Sequence, residues 1–321
     1  MSCMDQESRD QDQNEKPEEH PKPEPEAERT NVLKTVISLA VYIGVYYILF
    51  RGHLSYILLL VIVIFLHELG HFIAMKKFGY RDVQMFFVPF MGAYVSGEPH
   101  QVSQYQKAIT LLAGPLPGIV LGILFGWLYV QTSHPFYFQA ALLLLLLNVF
   151  NLLPVSPLDG GQLLETIFFE SNRTIQSAFI VLSSALLAFF AVRTHQYLFL
   201  ILVPLLLFRL RSINSTERIR KVLDKNKIDY HKTYEELSSE EYWAIRKEMI
   251  PFVRQLRHLD PEVADENESA VITYMKPILK PASQADLNPT QKFFIFFAWM
   301  VGLFLPVILF FVFNLNYRLR F

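Results

Sequence analysis

The chain has one cysteine in 321 residues, Cys3, set in a polar stretch. That excludes a disulfide framework within the chain and a cysteine cluster for a metal, so any bound metal must be held by His, Asp or Glu. Strong charge of either sign is also missing. Lys and Arg total 29 against 30 Asp and Glu, a net charge of −1, which offers no basic field for nucleic acid. The first thirty residues lack an apolar h-region, so a cleavable leader is not expected there. They are rich in Glu and Pro and nearly free of apolar side chains, which predicts a disordered acidic tail over 1–30. No internal repeat is visible.

Apolar residues are abundant. Hydrophobic side chains make up 52% of the chain, with 28 Phe, and they gather into long runs. This is the pattern of membrane spans rather than of a water-exposed domain. The runs fall at 32–50, 54–75, 107–130, 135–153, 174–192, 196–210 and 292–313, each roughly able to cross about 30 Å of hydrocarbon, with 196–210 short. Lys and Arg near the span ends concentrate on one side, including Lys34, Lys76, Lys77, Arg81, Lys107, Arg209 and Arg211. The other side has Arg51, Arg193, Arg318 and Arg320. The richer side is expected to be cytosolic. It would then hold the N-terminus and the polar segment 211–291, while Arg318 and Arg320 sit against the rule.

Two segments interrupt the apolar pattern. "DVQMFFVPFMGAYVSGE", Asp82 to Glu98, is apolar and aromatic but broken by Pro89 and Gly92, which predicts short strands rather than a spanning helix. "NLLPVSPLDGG", Asn151 to Gly161, carries Pro154 and Pro157, each of which removes a backbone donor. Irregular backbone at membrane depth is tolerated only where protein buries it or a wet cavity borders it. The polar segment contains "SSEEYWAIRKEMIPFVRQLRHL". It opens with a capping box, Ser238 to Glu241, and reads on as an amphipathic helix.

The chemistry lies in "VIVIFLHELGHFIAM", Val61 to Met75. His67 and His71, four apart, project from one helix face about a turn apart, the spacing with which two imidazoles reach one Zn²⁺. Glu68 points off that axis toward the open coordination position, where a carboxylate can act as general base for the attacking water. Gly70 is expected to leave room beside the metal. A helix with a stray polar stripe is the bland alternative. Ionisable groups within a span are costly, however, and functional by default. Eight residues separate Glu68 from Lys76, about 12 Å of helix, so the site is expected below the cytosolic surface but within reach of its water. A third ligand is needed. Asp159, at membrane depth in the second interruption, is expensive there unless paired or metal-bound. Gly160 and Gly161 are expected to let the backbone turn so that its carboxylate swings inward. Asp159 could also cap the helix that follows, and Glu165 on that helix could support the site.

"HELGH" together with "NLLPVSPLDGG" in separate apolar segments resembles the site-2 protease family of intramembrane zinc metalloproteases, over about residues 54–170. The resemblance implies one Zn²⁺ per chain held by His67, His71 and Asp159, with Glu68 as catalytic base. It also implies that Asn151 positions substrate or meets the oxyanion with its side-chain amide. "AGPLPG", Ala113 to Gly118, is similar to the family's small-residue motif, with Gly118 where an Asn often stands. The 82–98 stretch would be the family's membrane-embedded β-hairpin, whose edge can hold an unwound substrate by main-chain pairing. The implied substrate is a membrane protein with a transmembrane segment. The implied setting is the lipid bilayer, with no nucleic acid partner. A catalytically idle relative that binds membrane proteins without cutting them is the competing function.

The expected fold is mainly α: a polytopic membrane helix bundle of about six or seven spans with a small membrane-embedded β-hairpin. The expected organisation is a tail over 1–30, a metalloprotease core over 31–210, a cytosolic helical segment over 211–291 and a C-terminal transmembrane helix and tail over 292–321. The sequence gives no reading of oligomeric state.

Overall fold

A computed structural model describes residues 32–49, 54–89, 92–98, 103–169, 172–195, 202–263, 268–280 and 286–318, together with 197 and 200. The expected acidic tail, Cys3, His53 and His100 lie outside the described residues.

The chain is mainly helical with one small sheet. Helix α1 spans Val32–Leu49 and α2 spans Leu54–Lys77. At the end of α2 the Tyr80 N–H donates to the Met75 carbonyl and the Gly79 N–H to that of Lys76 (3.0 and 3.1 Å). This is the paired closure of a left-handed helix end, with Gly79 at φ 75°. The chain then enters the hairpin, β1 Arg81–Val88 and β2 Gly92–Glu98, antiparallel with Met85 opposite Val95 and Phe87 opposite Ala93. Strands therefore stand where the broken apolar stretch predicts them.

Helix α3, Gln104–Ala113, and α4, Pro115–Thr132, follow one another with Gly114 between them. Pro115 opens α4 because the first helical position has no use for an N–H. Helix α5 covers Pro135–Asn151, its N-terminus capped by the His134 side chain accepting from the Phe136 N–H (3.3 Å). Helix α6, Asp159–Leu164, runs into a wider π turn at Glu165–Phe169. Then come α7 Arg173–Arg193, α8 Leu202–Lys225, α9 Ser239–Met249, α10 Glu268–Met275 and α11 Pro289–Arg318.

Among the described residues, four helical stretches are long and apolar enough to cross a membrane: Leu54–Lys77, Gln104–Thr132, Thr174–Arg193 and Pro289–Leu309. Two shorter apolar helices, Leu33–Ile48 and Pro135–Asn151, correspond to two further expected spans. The stretch 196–210 differs from expectation. Its described helix begins at Leu202 and continues unbroken to Lys225, because the apolar run passes directly into a polar sequence of good helix formers after Arg209.

Two compact units divide the chain, and each is described by itself. One consists, among described residues, of the segment from Arg211 toward Ala282. Its core gathers Leu223, Tyr242, Ile245, Met249, Val271 and Met275, all essentially inaccessible. Arg246, fully buried, is paired there with Glu268 (3.0 Å), which also accepts from the Tyr242 hydroxyl. Burial and that bond push the Tyr242 phenol well above its usual range. The expected capping box is present: the Ser238 hydroxyl accepts from the Glu241 N–H (3.2 Å) and the Glu241 carboxylate from the Ser238 N–H (2.9 Å). The helix is shorter than its amphipathic pattern predicts. It tightens into a 3₁₀ turn at Ile250–Phe252, where Pro251 has no N–H to continue the ladder.

The other unit carries the apolar helices and the hairpin. Side chains of α1, α2 and the hairpin share one cluster built on Tyr42, Ile57, Val61, Ile64, Met85 and Phe87. Helix α1 also seals one edge of the sheet. The Thr35 hydroxyl donates to the Met85 carbonyl (2.8 Å), and the Ser38 hydroxyl accepts from the Phe87 N–H (3.2 Å). Met85 and Phe87 thus turn their main-chain groups away from β2. By the antiparallel register, Ala93 and Val95 turn theirs away from β1, toward the outer edge of β2.

Candidate metal centre

His67 and His71 lie on α2 and Asp159 is the first residue of α6; all three are screened from solvent or nearly so. The His67 and His71 Nε2 atoms are 3.2 Å apart. The Asp159 Oδ2 atom is 3.2 Å from the first and 3.3 Å from the second. Two segments ninety-odd residues apart therefore meet at one point.

The outer nitrogens of both rings are occupied. His71 Nδ1 donates to the Thr110 carbonyl at 2.8 Å. His67 Nδ1 lies 2.8 Å from the Asn148 Oδ1. Asn148 is itself oriented, since its Nδ2 donates to the Leu144 carbonyl (2.7 Å), which leaves the oxygen facing His67. With both Nδ1 atoms protonated, a neutral ring presents its Nε2 lone pair to the centre. Asp159 Oδ2 is buried there without a hydrogen bond. Three electron-rich atoms held this close repel one another unless a cation lies between them. Zinc–ligand distances of about 2.0–2.1 Å in a tetrahedron give ligand–ligand edges of about 3.3–3.4 Å, and the observed triangle is close to that size. The residues fit a metal of this kind.

Glu68, also buried, follows His67 on α2, and its carboxylate lies against the main chain of Val95. The outer edge of β2 is thus the sheet edge that faces the site. Asn151 ends α5, and its amide donates to the Leu147 carbonyl at 3.2 Å rather than to the His–Asp cluster. Among the described residues no other group of three His, Cys, Asp or Glu side chains converges in this way. His195 lies beside the Tyr197 hydroxyl and His231 beside Asp229, both exposed.

The glycines act differently from the sequence expectation. Gly70 makes room for the main chain of the α3–α4 junction: a Cβ there would be 2.0 Å from the Ala113 carbonyl oxygen. The glycine that makes room beside the His–Asp cluster is Gly114, where a Cβ would be 2.2 Å from His71 Nε2. Together they let α2 cross the α3–α4 junction at backbone contact. Gly160 and Gly161 are not at positive φ. They are helical and lie against the broken strand of chain before them, with a Cβ on Gly160 falling 2.0 Å from the Leu152 carbonyl oxygen. Asp159 is not the cap of its helix either: Leu158 occupies that position.

Asn148 is the residue that sequence reasoning missed. It is fully buried and packs where a side chain on Gly118 would stand, with its Nδ2 only 2.1 Å from that Cβ position. Helix α5 thus delivers an amide into the space left by the glycine on α4. A polar residue inside "LLLLLLNVFN" was the available signal, because a buried amide in an apolar run needs a partner. Replacing Asn148 with Leu is expected to weaken metal affinity by about 10- to 100-fold, the usual cost of removing a group that orients a ligating imidazole. Metal titration of the purified variant against a competing chelator checks this.

Residues 55–135 and 129–193 match the sequence model of "Peptidase family M50". Stage IV sporulation protein FB of Bacillus subtilis is 34% identical over 124 residues, covering 37% of this chain and 42% of that protein. A zinc metalloprotease of Methanocaldococcus jannaschii is 30% identical over 127 residues, covering 37% of this chain and 36% of that protein. The chain therefore spans less than half the length of these curated relatives. Among solved structures, the site-2 protease from Methanocaldococcus jannaschii aligns with a TM-score of 0.39 at 21% identity, over 56% of this chain and 87% of that one. Helices long and apolar enough to cross a membrane thus accompany a buried HExxH pair and a distant Asp that together could hold a metal ion. Over residues 55–193, less than half of the chain, the sequence resembles peptidase family M50.

Proposed function

We propose that the chain is a zinc-dependent intramembrane endopeptidase that hydrolyses peptide bonds in or near transmembrane segments of membrane-protein substrates. The observation that carries this reading is the convergence of His67 Nε2, His71 Nε2 and Asp159 Oδ2 within apolar helices, with Glu68 beside them.

In this reading His67, His71 and Asp159 hold one Zn²⁺ per chain. When bound, the ion supplies Lewis acidity to the attacking water and the scissile carbonyl. Glu68 takes the proton from that water and returns it to the leaving amine, as a positioned carboxylate does in general acid–base catalysis. Asn148 and the Thr110 carbonyl hold the two rings in the required tautomer. Asn151 offers its amide to the developing oxyanion. Its bond to Leu147 is long at 3.2 Å, and an amide nitrogen has a second proton to give. A helical substrate hides its carbonyls in its own ladder and must be extended before attack. The outer edge of β2, next to Glu68, is the surface that can hold the extended segment by main-chain pairing. The α1 side of the hairpin cannot do so, because Thr35 and Ser38 already occupy it.

The excess of Lys and Arg around Lys76, Lys77, Arg81 and Lys107 supports a site that opens toward the cytosol. The N-terminus and the 211–291 segment would then be cytosolic, with 31–210 the protease core and 292–321 a final span and tail. The test is purified protein in lipid vesicles with a single-span reporter. Chelation is expected to abolish cleavage, and one equivalent of zinc to restore it. Stoichiometric zinc with no turnover on any membrane protein that it binds would favour the idle-relative reading.

A further inference from the structure

The turn that delivers Asp159 is a break in an apolar run, so its backbone and hydroxyl groups need partners from elsewhere. The Leu152 carbonyl accepts from the Trp299 indole N–H on α11 (2.8 Å). The Ser156 N–H donates to the Ser183 hydroxyl on α7 (3.1 Å). The Ser156 hydroxyl accepts from the Arg209 guanidinium on α8 (2.7 Å). The same guanidinium also pairs with Glu165, at 2.9 Å through one nitrogen and 3.3 Å through the other. Glu165 is 3% exposed and takes one more bond, from the Gln176 amide at 3.3 Å.

Ser156 precedes Asp159 by three residues and Glu165 follows it by six. One planar cation therefore grips the chain on both sides of the ligand. A flat, five-donor guanidinium can make these contacts at once, whereas an ammonium is a point charge without that fork. The grip matters because the three ligand atoms stand 3.2–3.3 Å apart, and sites of this kind tolerate displacements of only about 0.5 Å. Without Arg209 the buried Glu165 carboxylate would lack its countercharge, and the surrounding turn would have to move to bring in water or another cation.

We infer that Arg209, through Glu165 and Ser156, is a positioning residue that fixes the Asp159 carboxylate in the metal centre. This rests on the reading of His67, His71 and Asp159 as ligands. Arg209 lies beyond the family-matched residues, on the helix that runs on to Lys225.

The test uses full-length protein loaded with Co²⁺, whose ligand-field absorption reports coordination geometry without any turnover. Wild type is expected to bind one equivalent with a tetrahedral spectrum. Arg209→Met is expected to raise the cobalt dissociation constant by about 10- to 100-fold and to change the spectrum. Arg209→Lys should fall between the two, and Ser156→Ala should weaken binding several-fold with Glu165 still paired. If Arg209→Met does not fold, Arg209→Lys and Ser156→Ala carry the decision. A merely structural role predicts a lower melting temperature in the metal-free protein with an unchanged spectrum and affinity in every folded variant, and that result overturns the proposal. A wild type that binds no cobalt, or an Asp159→Ala protein that binds it like wild type, overturns the metal-centre reading itself.

Discussion

Asp159→Ala protein is expected to purify with far less than one equivalent of zinc and with no detectable peptidase activity. The two imidazoles would remain on α2, still oriented by Asn148 and the Thr110 carbonyl. Two neutral ligands hold zinc far less tightly than three, and the lost one supplies the only negative charge among them. The loss should exceed the about 10- to 100-fold that follows removal of an orienting partner. Elemental analysis of the dialysed protein reads the metal directly. Full zinc retention would mean that another group completes the centre. Asp159→Glu is a useful companion. Its longer arm starts from the same helix position, so it should recover part of the metal but not the geometry.

Glu68→Gln is expected to separate chemistry from binding. Glutamine has nearly the shape of glutamate, so the contact with the Val95 main chain and the packing of α2 should survive. Zinc content should stay near one equivalent. Turnover should fall by about 10²- to 10⁴-fold, the usual contribution of a positioned general base. The measurement is cleavage of a single-span reporter in vesicles under conditions where zinc content is confirmed. Turnover near the wild-type level would remove Glu68 from the mechanism and leave the water without a named base. A loss of zinc would instead make Glu68 part of the metal's support.

The candidate ligands were legible in the sequence because each obeys a local rule. Helical spacing places His67 and His71 on one face, and a carboxylate in an apolar run demands a partner. The hairpin at 82–98 and the capping box at Ser238 follow from such rules, whereas the meeting of Asp159 with that pair was implied by the resemblance of the two motifs to a known family. What surrounds them was not legible. Asn148 meets His67, and Arg209 meets Ser156 and Glu165, across helix–helix contacts, and neither spacing nor propensity encodes which helices touch. Gly70 shows the same limit. Its place within the motif suggested room for a metal, whereas its neighbour is the Ala113 carbonyl of another helix. The glycines after Asp159 suggested a turn by their conformational freedom, but they serve close packing against Leu152 and Val155. The end of the helix after Ser238 was misjudged for a simpler reason: the amphipathic period continues through Pro251, but the backbone hydrogen bonds do not.

The central claim is that this metal centre cuts peptide bonds at membrane depth. The most direct test is mass spectrometry of the products from a single-span substrate incubated in vesicles with zinc-loaded protein. The account predicts a scissile bond within or at the edge of the substrate's apolar span, at the depth of Glu68, and no such product with Glu68→Gln. Cleavage confined to soluble loops of the substrate, or the same products from the Glu68→Gln protein, would contradict it.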